Sequence, residues 1–360
     1  MLFWRYIYCI RWNILLGTKG RKAKCQICKK ESEFISETLK ICLSCIRKKP
    51  VETKKTTSKV HKKIREEFKL PGKPPWDKNG LKCNICHNEC KIGMGNQGYC
   101  GLRKNFNGKL KTREGILHTY YDPLPTNCCA SWFCPGSKER GLSLAVFPFS
   151  CTFNCVFCQN WQHKNIEMGN QIEIEHLVRE AKEAICICYF GGTPEPQLPF
   201  LLKATKKILE NVNTRICWEW NGTGNPSLVR KAAEYTYTTN GTIKFDLKAF
   251  DPNLHIALTG RPNKRTLDNF HLIANEFKKR DLLTATTLLI PGYIDKEEVE
   301  KIARFISDFD PDIPYSLLGF HPDFKMIDMP VTTSKQAEEC YQAAKKYLNR
   351  VNIGNKHLLY

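Results

Sequence analysis

Near the middle of the chain runs Ser150-Cys151-Thr152-Phe153-Asn154-Cys155-Val156-Phe157-Cys158-Gln159-Asn160-Trp161-Gln162-His163. Three cysteines at spacings of four and three form a loop just after an apolar run, Leu142–Phe149, that reads as a strand. A compact loop with this rhythm aims three thiolates at one point, and soft thiolates select zinc or iron–sulfur clusters. Three thiolates are one short of a closed tetrahedral zinc site or a fully ligated cubane. One metal is then left open to an exogenous molecule. A structural zinc loop that borrows a fourth ligand elsewhere is the alternative.

Outward from this loop the pattern is regular. Apolar runs at Leu142–Phe149, Ala184–Phe190, Thr214–Trp220, Thr242–Lys248, Leu283–Ile290 and Pro314–Phe320 read as strands covered on both faces. Helix-period runs at Ile174–Glu183, Gln197–Asn211, Ser227–Tyr235, Thr266–Lys279, Lys296–Phe309 and Ser334–Arg350 alternate with them. Val299, Ile302, Phe305 and Ile306 form one such stripe. Alternation of this kind predicts an α/β fold with a parallel sheet and helices outside it. Ligands then gather at the C-terminal ends of the strands.

Cys-x3-Cys-x2-Cys with an aromatic residue, Phe157, before the last cysteine resembles the signature of radical S-adenosylmethionine (SAM) enzymes. The resemblance covers about residues 81–355 and is nearest to the pyruvate formate-lyase activating enzyme and AmmeMemoRadiSam-type group. It implies that Cys151, Cys155 and Cys158 hold a [4Fe–4S] cluster and that SAM chelates the fourth iron. It implies a partial (β/α)6 TIM-like barrel over 141–355 with an N-terminal Cys-rich metal-binding extension. It also assigns strand ends. Gly191 and Gly192 match the glycine turn that receives SAM, although Thr193-Pro194 stands before Glu195. Glu219 and Asn221 occupy the place of an Asp-Thr-Asn-Gly-like run. Asp246 and Lys248 match an Asp-Leu-Lys stretch and, by alternation, share one face. His321 stands where a SAM-contacting histidine is expected.

Nineteen cysteines without a clear secretory signal indicate a reducing cytoplasm, where clustered thiols bind metal. Cys25, Cys28, Cys42 and Cys45 form two Cys-x2-Cys knuckles, the pattern of a zinc ribbon, within a basic segment, 1–47. Residues 48–80 read as a basic linker with a short helix over His61–Phe68. Residues 81–140 form a Cys-rich preface in which Cys83, Cys86, Cys90 and Cys100 share one metal site, either zinc, which is preferred, or an auxiliary iron–sulfur cluster. Cys128, Cys129 and Cys134, like Cys186, Cys188, Cys217 and Cys340, read as buried small residues, with a ligand role for Cys134 as the alternative.

Net charge is +20, and residues 1–80 carry 21 Lys+Arg against 7 Asp+Glu, so +14 of it lies there. Such a segment suits an acidic partner. Met1–Gly17 is apolar but is broken by Arg5 and Arg11 and falls short of the roughly 20 residues of a membrane span. It is expected to pack on its own domain. The functional expectation is an anaerobic radical SAM oxidoreductase reduced by a ferredoxin or flavodoxin and acting on a protein or RNA. The alternative is a metal-dependent nucleic-acid-binding protein with a non-catalytic barrel, recognised by salt-sensitive RNA binding.

Overall fold

The computed structural model describes residues 22–360, so Met1–Gly17 lies outside the described residues. All six expected strands form, at Leu142–Pro148, Cys186–Tyr189, Arg215–Trp220, Ile243–Asp246, Leu283–Leu289 and Tyr315–Gly319. They are parallel and adjacent in chain order, and a seventh strand, Val351–Gly354, continues the sheet beside the sixth. At the other edge Ile116–Pro123 runs antiparallel to Leu142–Pro148 and also pairs with Asn170–Gln171, which completes a nine-stranded sheet.

Alternation within the strands separates two faces. In Cys186–Tyr189 the residues Ile187 and Tyr189 are buried while Cys186 and Cys188 are half-buried. In Arg215–Trp220 the buried set is Ile216, Trp218 and Trp220, and the half-buried set is Arg215, Cys217 and Glu219. The buried set packs in the main core with the helices Leu198–Leu209 and Pro226–Thr238. The other face lines an interior chamber. Cys186, Cys188 and Cys217 are therefore chamber-wall residues and not the core residues the sequence suggests. The sheet is curved round an open interior, so one face of each strand is not covered by helices.

The N-terminal segment is built onto the barrel. Residues Pro50–Glu67 form one helix of 18 residues, where the sequence reads as a linker with only a short helix. Pro50 stands at the first helical turn, where a missing N–H costs nothing. Thr53, Thr57, His61 and Ile64 form its buried stripe, while Lys54, Lys55, Lys59, Lys62 and Lys63 are exposed. Ile35, Leu39, Ile41 and Ile46 of the knuckle segment join the main core. Arg47 makes a bidentate pair with Asp295 at 2.8 and 2.9 Å, and Asp295 caps the helix Lys296–Ser307. Tyr293 Oη accepts from Ser36 N at 3.0 Å and donates to Ile41 O at 3.1 Å. No described helix is long and apolar enough to cross a membrane.

Candidate active site

The Cys151–Cys158 loop is fixed from behind. Asn154 N and Val156 N donate to Thr259 O and Leu258 O at 2.8 and 3.0 Å, at the end of the helix Pro252–Thr259. Ser150 lies at φ 83°, a left-handed conformation that is costly for a residue with a Cβ. It is held there by Ser150 N donating to His163 O at 2.9 Å and Ser150 Oγ donating to Cys100 O at 2.6 Å. Asn154 Oδ1 accepts from Lys164 Nζ at 3.0 Å, and its Nδ2 lies 3.1 Å from His61 Nδ1. The helix Pro50–Glu67 thus reaches the loop through a buried His61–Asn154–Lys164 chain, which the sequence motif does not reveal.

The three thiols face a cavity of about 190 Å³. Phe157, Gly191, Gly192, Glu219, Asn221, Asp246 and Lys248 line the same cavity. Of the expected SAM-site residues only His321 is not brought there. It lies beyond the sixth strand, beside Asp323. His163 and Thr193, at the edges of the quoted motifs, also line the cavity, as do Lys164, Lys244 and Thr286, which no local motif carries.

The donor set suits a thiolate-bound cluster. Phe153 N lies 3.4 Å and Asn221 Nδ2 3.7 Å from Cys151 Sγ, and His163 Nε2 lies 3.7 Å from Cys158 Sγ. Burial raises all three thiols above their ordinary range; the charge of Lys164 acts against it at each, joined by Lys248 at Cys155 and Cys158. A cationic metal core supplies the remaining compensation for burying thiolates. The turn after the second strand must be glycine: a Cβ on Gly192 would sit 2.1 Å from Ser150 O, and Gly191 has φ +101°. The residues therefore fit a [4Fe–4S] cluster with one iron left to a ligand.

On the far wall a charged ladder runs across the strands. Lys244 Nζ lies 2.7 Å from Glu219 Oε2 and 3.4 Å from Asp246 Oδ1. Lys248 Nζ lies 2.8 Å from Asp246 Oδ2, and Thr286 Oγ1 donates to Asp246 Oδ1 at 2.7 Å. Burial opposes the charge on Asp246, but Lys244, Lys248 and these hydrogen bonds hold its carboxyl below the usual range.

Glu195 is fully buried and bridges two strand-end loops. Its carboxylate accepts from Thr193 Oγ1 and, at 3.0 Å, from Thr223 N. Burial raises its carboxyl to about 7 against these opposing hydrogen bonds. A raised carboxyl favours the fold while both states are protonated. That contribution falls as pH rises through the unfolded value toward 7, by up to about 3 kcal/mol. Glu195→Gln removes the titration. Wild type is expected to lose stability relative to Glu195→Gln between pH 5 and 7, as read by denaturant melts. Parallel pH profiles would contradict this.

Two further thiol sets differ in spacing. The ligand atoms of Cys25, Cys28, Cys42 and Cys45 all lie within 4.8 Å of one another, with Cys28 and Cys42 Sγ 3.7 Å apart. This is single-ion geometry, since one ion holds thiolates at about 2.3 Å. Cys83, Cys86, Cys90 and Cys100 gather on the hairpin Leu81–Lys82/Lys91–Ile92 and the turn after it, with Cys83 N donating to Cys90 O at 2.8 Å. Each is near enough to another for its charge to act there. Among the described residues, however, only the first set meets the 4.8 Å spacing.

The smaller cavity opens onto the interior chamber, of about 1380 Å³, with which it shares Gln159, Asn160, Phe190, Glu219 and Lys244.

The radical SAM superfamily model matches residues 146–306. A Methanocaldococcus jannaschii protein named for glycyl-radical enzyme activation is 27% identical over 215 residues, 58% of this chain and 79% of the relative. The pyruvate formate-lyase-activating enzyme of Staphylococcus aureus is 26% identical over 230 residues, 58% of this chain and 89% of the relative. Among solved structures, a domain of pyruvate-formate lyase-activating enzyme from Bacteroides vulgatus superposes with TM-score 0.40 at 20% identity, covering 47% of this chain and 98% of that domain. Residues 146–306 thus match a radical SAM domain, and the relatives that the chain resembles are activating enzymes. The family implies a [4Fe–4S] cluster and SAM.

Proposed function

We propose that Cys151, Cys155 and Cys158 hold the [4Fe–4S] cluster, and that SAM lies between the Gly191–Gly192 turn and the Asp246–Lys248 pair. The observation that carries this reading is the convergence of those groups on one cavity that opens into the barrel chamber. When bound, the cluster and SAM supply reductive cleavage to a 5′-deoxyadenosyl radical, which abstracts hydrogen. This chain's residues orient and shield. Lys248 offers an ammonium to the SAM carboxylate, Asp246 fixes Lys248, and Asn221 fixes the loop through Thr152 Oγ1 at 2.8 Å. Phe153 and Phe157 are buried and exclude water beside the thiols.

Activating-enzyme relatives support a protein substrate, on which a segment inserted into the chamber would be attacked. The exposed lysines of Pro50–Glu67 offer an acidic partner a docking face. Zinc is the proposed ion of the Cys25/Cys28/Cys42/Cys45 set. A ferredoxin- or flavodoxin-type protein in the cytoplasm is the proposed electron donor.

The SAM assignment predicts that Lys248→Ala weakens SAM binding to the anaerobically reconstituted protein. A lost hydrogen bond to a charged group corresponds to about 10- to 100-fold. Calorimetric titration showing unchanged affinity, with cluster content intact, would remove Lys248 from the site.

A further inference from the structure

Three lysines line the cavity that the thiols of Cys151, Cys155 and Cys158 face: Lys164, Lys244 and Lys248. Two of them are matched by protein carboxylates. Lys244 pairs with Glu219 and Asp246, and Lys248 pairs with Asp246. Lys164 is not matched. Only 3% of it is exposed. Among the described residues, no carboxylate oxygen lies within 4.0 Å of its Nζ. The ammonium donates to one neutral acceptor, Asn154 Oδ1, at 3.0 Å. A cation this deeply buried is costly without a countercharge. The anion that offsets it must therefore be one that the cavity receives.

The position of this charge is set from outside the barrel motif. His61 Nε2 lies 3.0 Å from Ala257 O, a carbonyl that can only accept, so Nε2 carries the proton and Nδ1 is an acceptor. Asn154 must then present its amide nitrogen to His61, with Nδ2 3.1 Å from Nδ1 and 3.3 Å from the His61 carbonyl. Its oxygen is thereby turned to Lys164. The ring has no slack, since a Cβ on Gly260 would lie 2.9 Å from it. The helix Pro50–Glu67 thus fixes the ammonium through two side chains.

We propose that Lys164 is the countercharge of the cluster, a fixed cation that raises its reduction potential, held in place by the helix Pro50–Glu67 through His61 and Asn154. This inference rests on the cluster assignment proposed above. A cubane on three thiolates carries about one net negative charge when oxidised and about two when reduced. A buried ammonium beside it favours the reduced form. The cluster suits this charge better than SAM does because of where the tether lies. Asn154 belongs to the cysteine loop, one residue before Cys155. His163, next to Lys164 in the chain, has Nε2 3.7 Å from Cys158 Sγ. Lys248 already offers SAM an ammonium from the opposite wall.

The test is the midpoint potential of the anaerobically reconstituted protein without SAM, read by electron paramagnetic resonance during a reductive titration. Lys164→Met is expected to lower the ratio of reduced to oxidised cluster about tenfold at a given potential, a downward shift of about 59 mV for one electron. Lys206→Met, which removes an exposed lysine, should leave the potential unchanged. Equal potentials in filled wild type and filled Lys164→Met overturn the proposal and leave the cluster assignment standing. A wild type with no reducible cluster overturns both. Weaker SAM binding by Lys164→Met at an unchanged potential assigns Lys164 to SAM and overturns it too. A second measurement does not depend on how well the variant fills. In thermal melts of the iron-free proteins, Lys164→Met should unfold at a higher temperature than wild type, because it removes an unmatched buried charge. Reconstituted wild type should recover that difference. Lower melting of Lys164→Met in both forms would mean a purely structural lysine and overturns the proposal.

Discussion

Cys155→Ala is expected to abolish SAM cleavage and to lower iron and sulfide by one cluster per chain. Cys155 shares the cavity with Cys151 and Cys158, with the Lys248 charge beside it. Losing one of three thiolates leaves a cubane held at two corners. The loop itself should survive, because its backbone bonds to Leu258 and Thr259 do not involve the thiol. Circular dichroism should therefore match wild type while activity falls to the detection limit. Cys340→Ser, in the buried face of the helix Ser334–Lys345, is the matched control and should keep the cluster. Retention of full iron content by Cys155→Ala would remove that thiol from the ligand set.

Cys42→Ser is the second large effect. The knuckle segment has only two-residue strands, Ala23–Lys24 and Glu31–Ser32, and one six-residue helix, Leu43–Lys48. Little backbone pairing holds it, so an ion bound by the four thiols would supply much of its stability. Structural zinc sites of this type contribute about 10–16 kcal/mol of apparent folding energy. Ile35, Leu39, Ile41 and Ile46 of this segment lie in the barrel core, so its loss would expose core and free Arg47 from Asp295. Cys42→Ser, or wild type treated with a strong chelator, is expected to release one zinc equivalent. It should then be cut by protease within residues 22–67 before the barrel is. It should also lose the positioning of His61 against Asn154, and with it part of the SAM-cluster occupancy. Unchanged metal content and unchanged proteolysis would show that the segment folds without an ion.

The cluster loop and the six parallel strands were legible because their information is local: a cysteine rhythm and short apolar runs bounded by turns. What was lost depended on context. Helix Pro50–Glu67 is rich in lysine and threonine and opens on proline, so propensity reads it as a linker. Its stability comes from the buried stripe of His61 and Ile64 against the barrel. Ile116–Pro123 alternates only weakly in burial and pairs antiparallel at the sheet edge, so the strand–helix rhythm misses it. Cys186, Cys188 and Cys217 were misread because runs of apolar residues do not say which face of a curved sheet is empty. Lys164 and Lys244 complete the cavity's electrostatics from positions outside any motif.

The measurement that tests the central claim most directly is product analysis of the anaerobically reconstituted wild-type protein with dithionite and SAM. 5′-Deoxyadenosine and methionine are expected in equal amounts, dependent on reductant and absent from Cys155→Ala. A protein with a full, reducible cubane that binds SAM and forms no 5′-deoxyadenosine would contradict it.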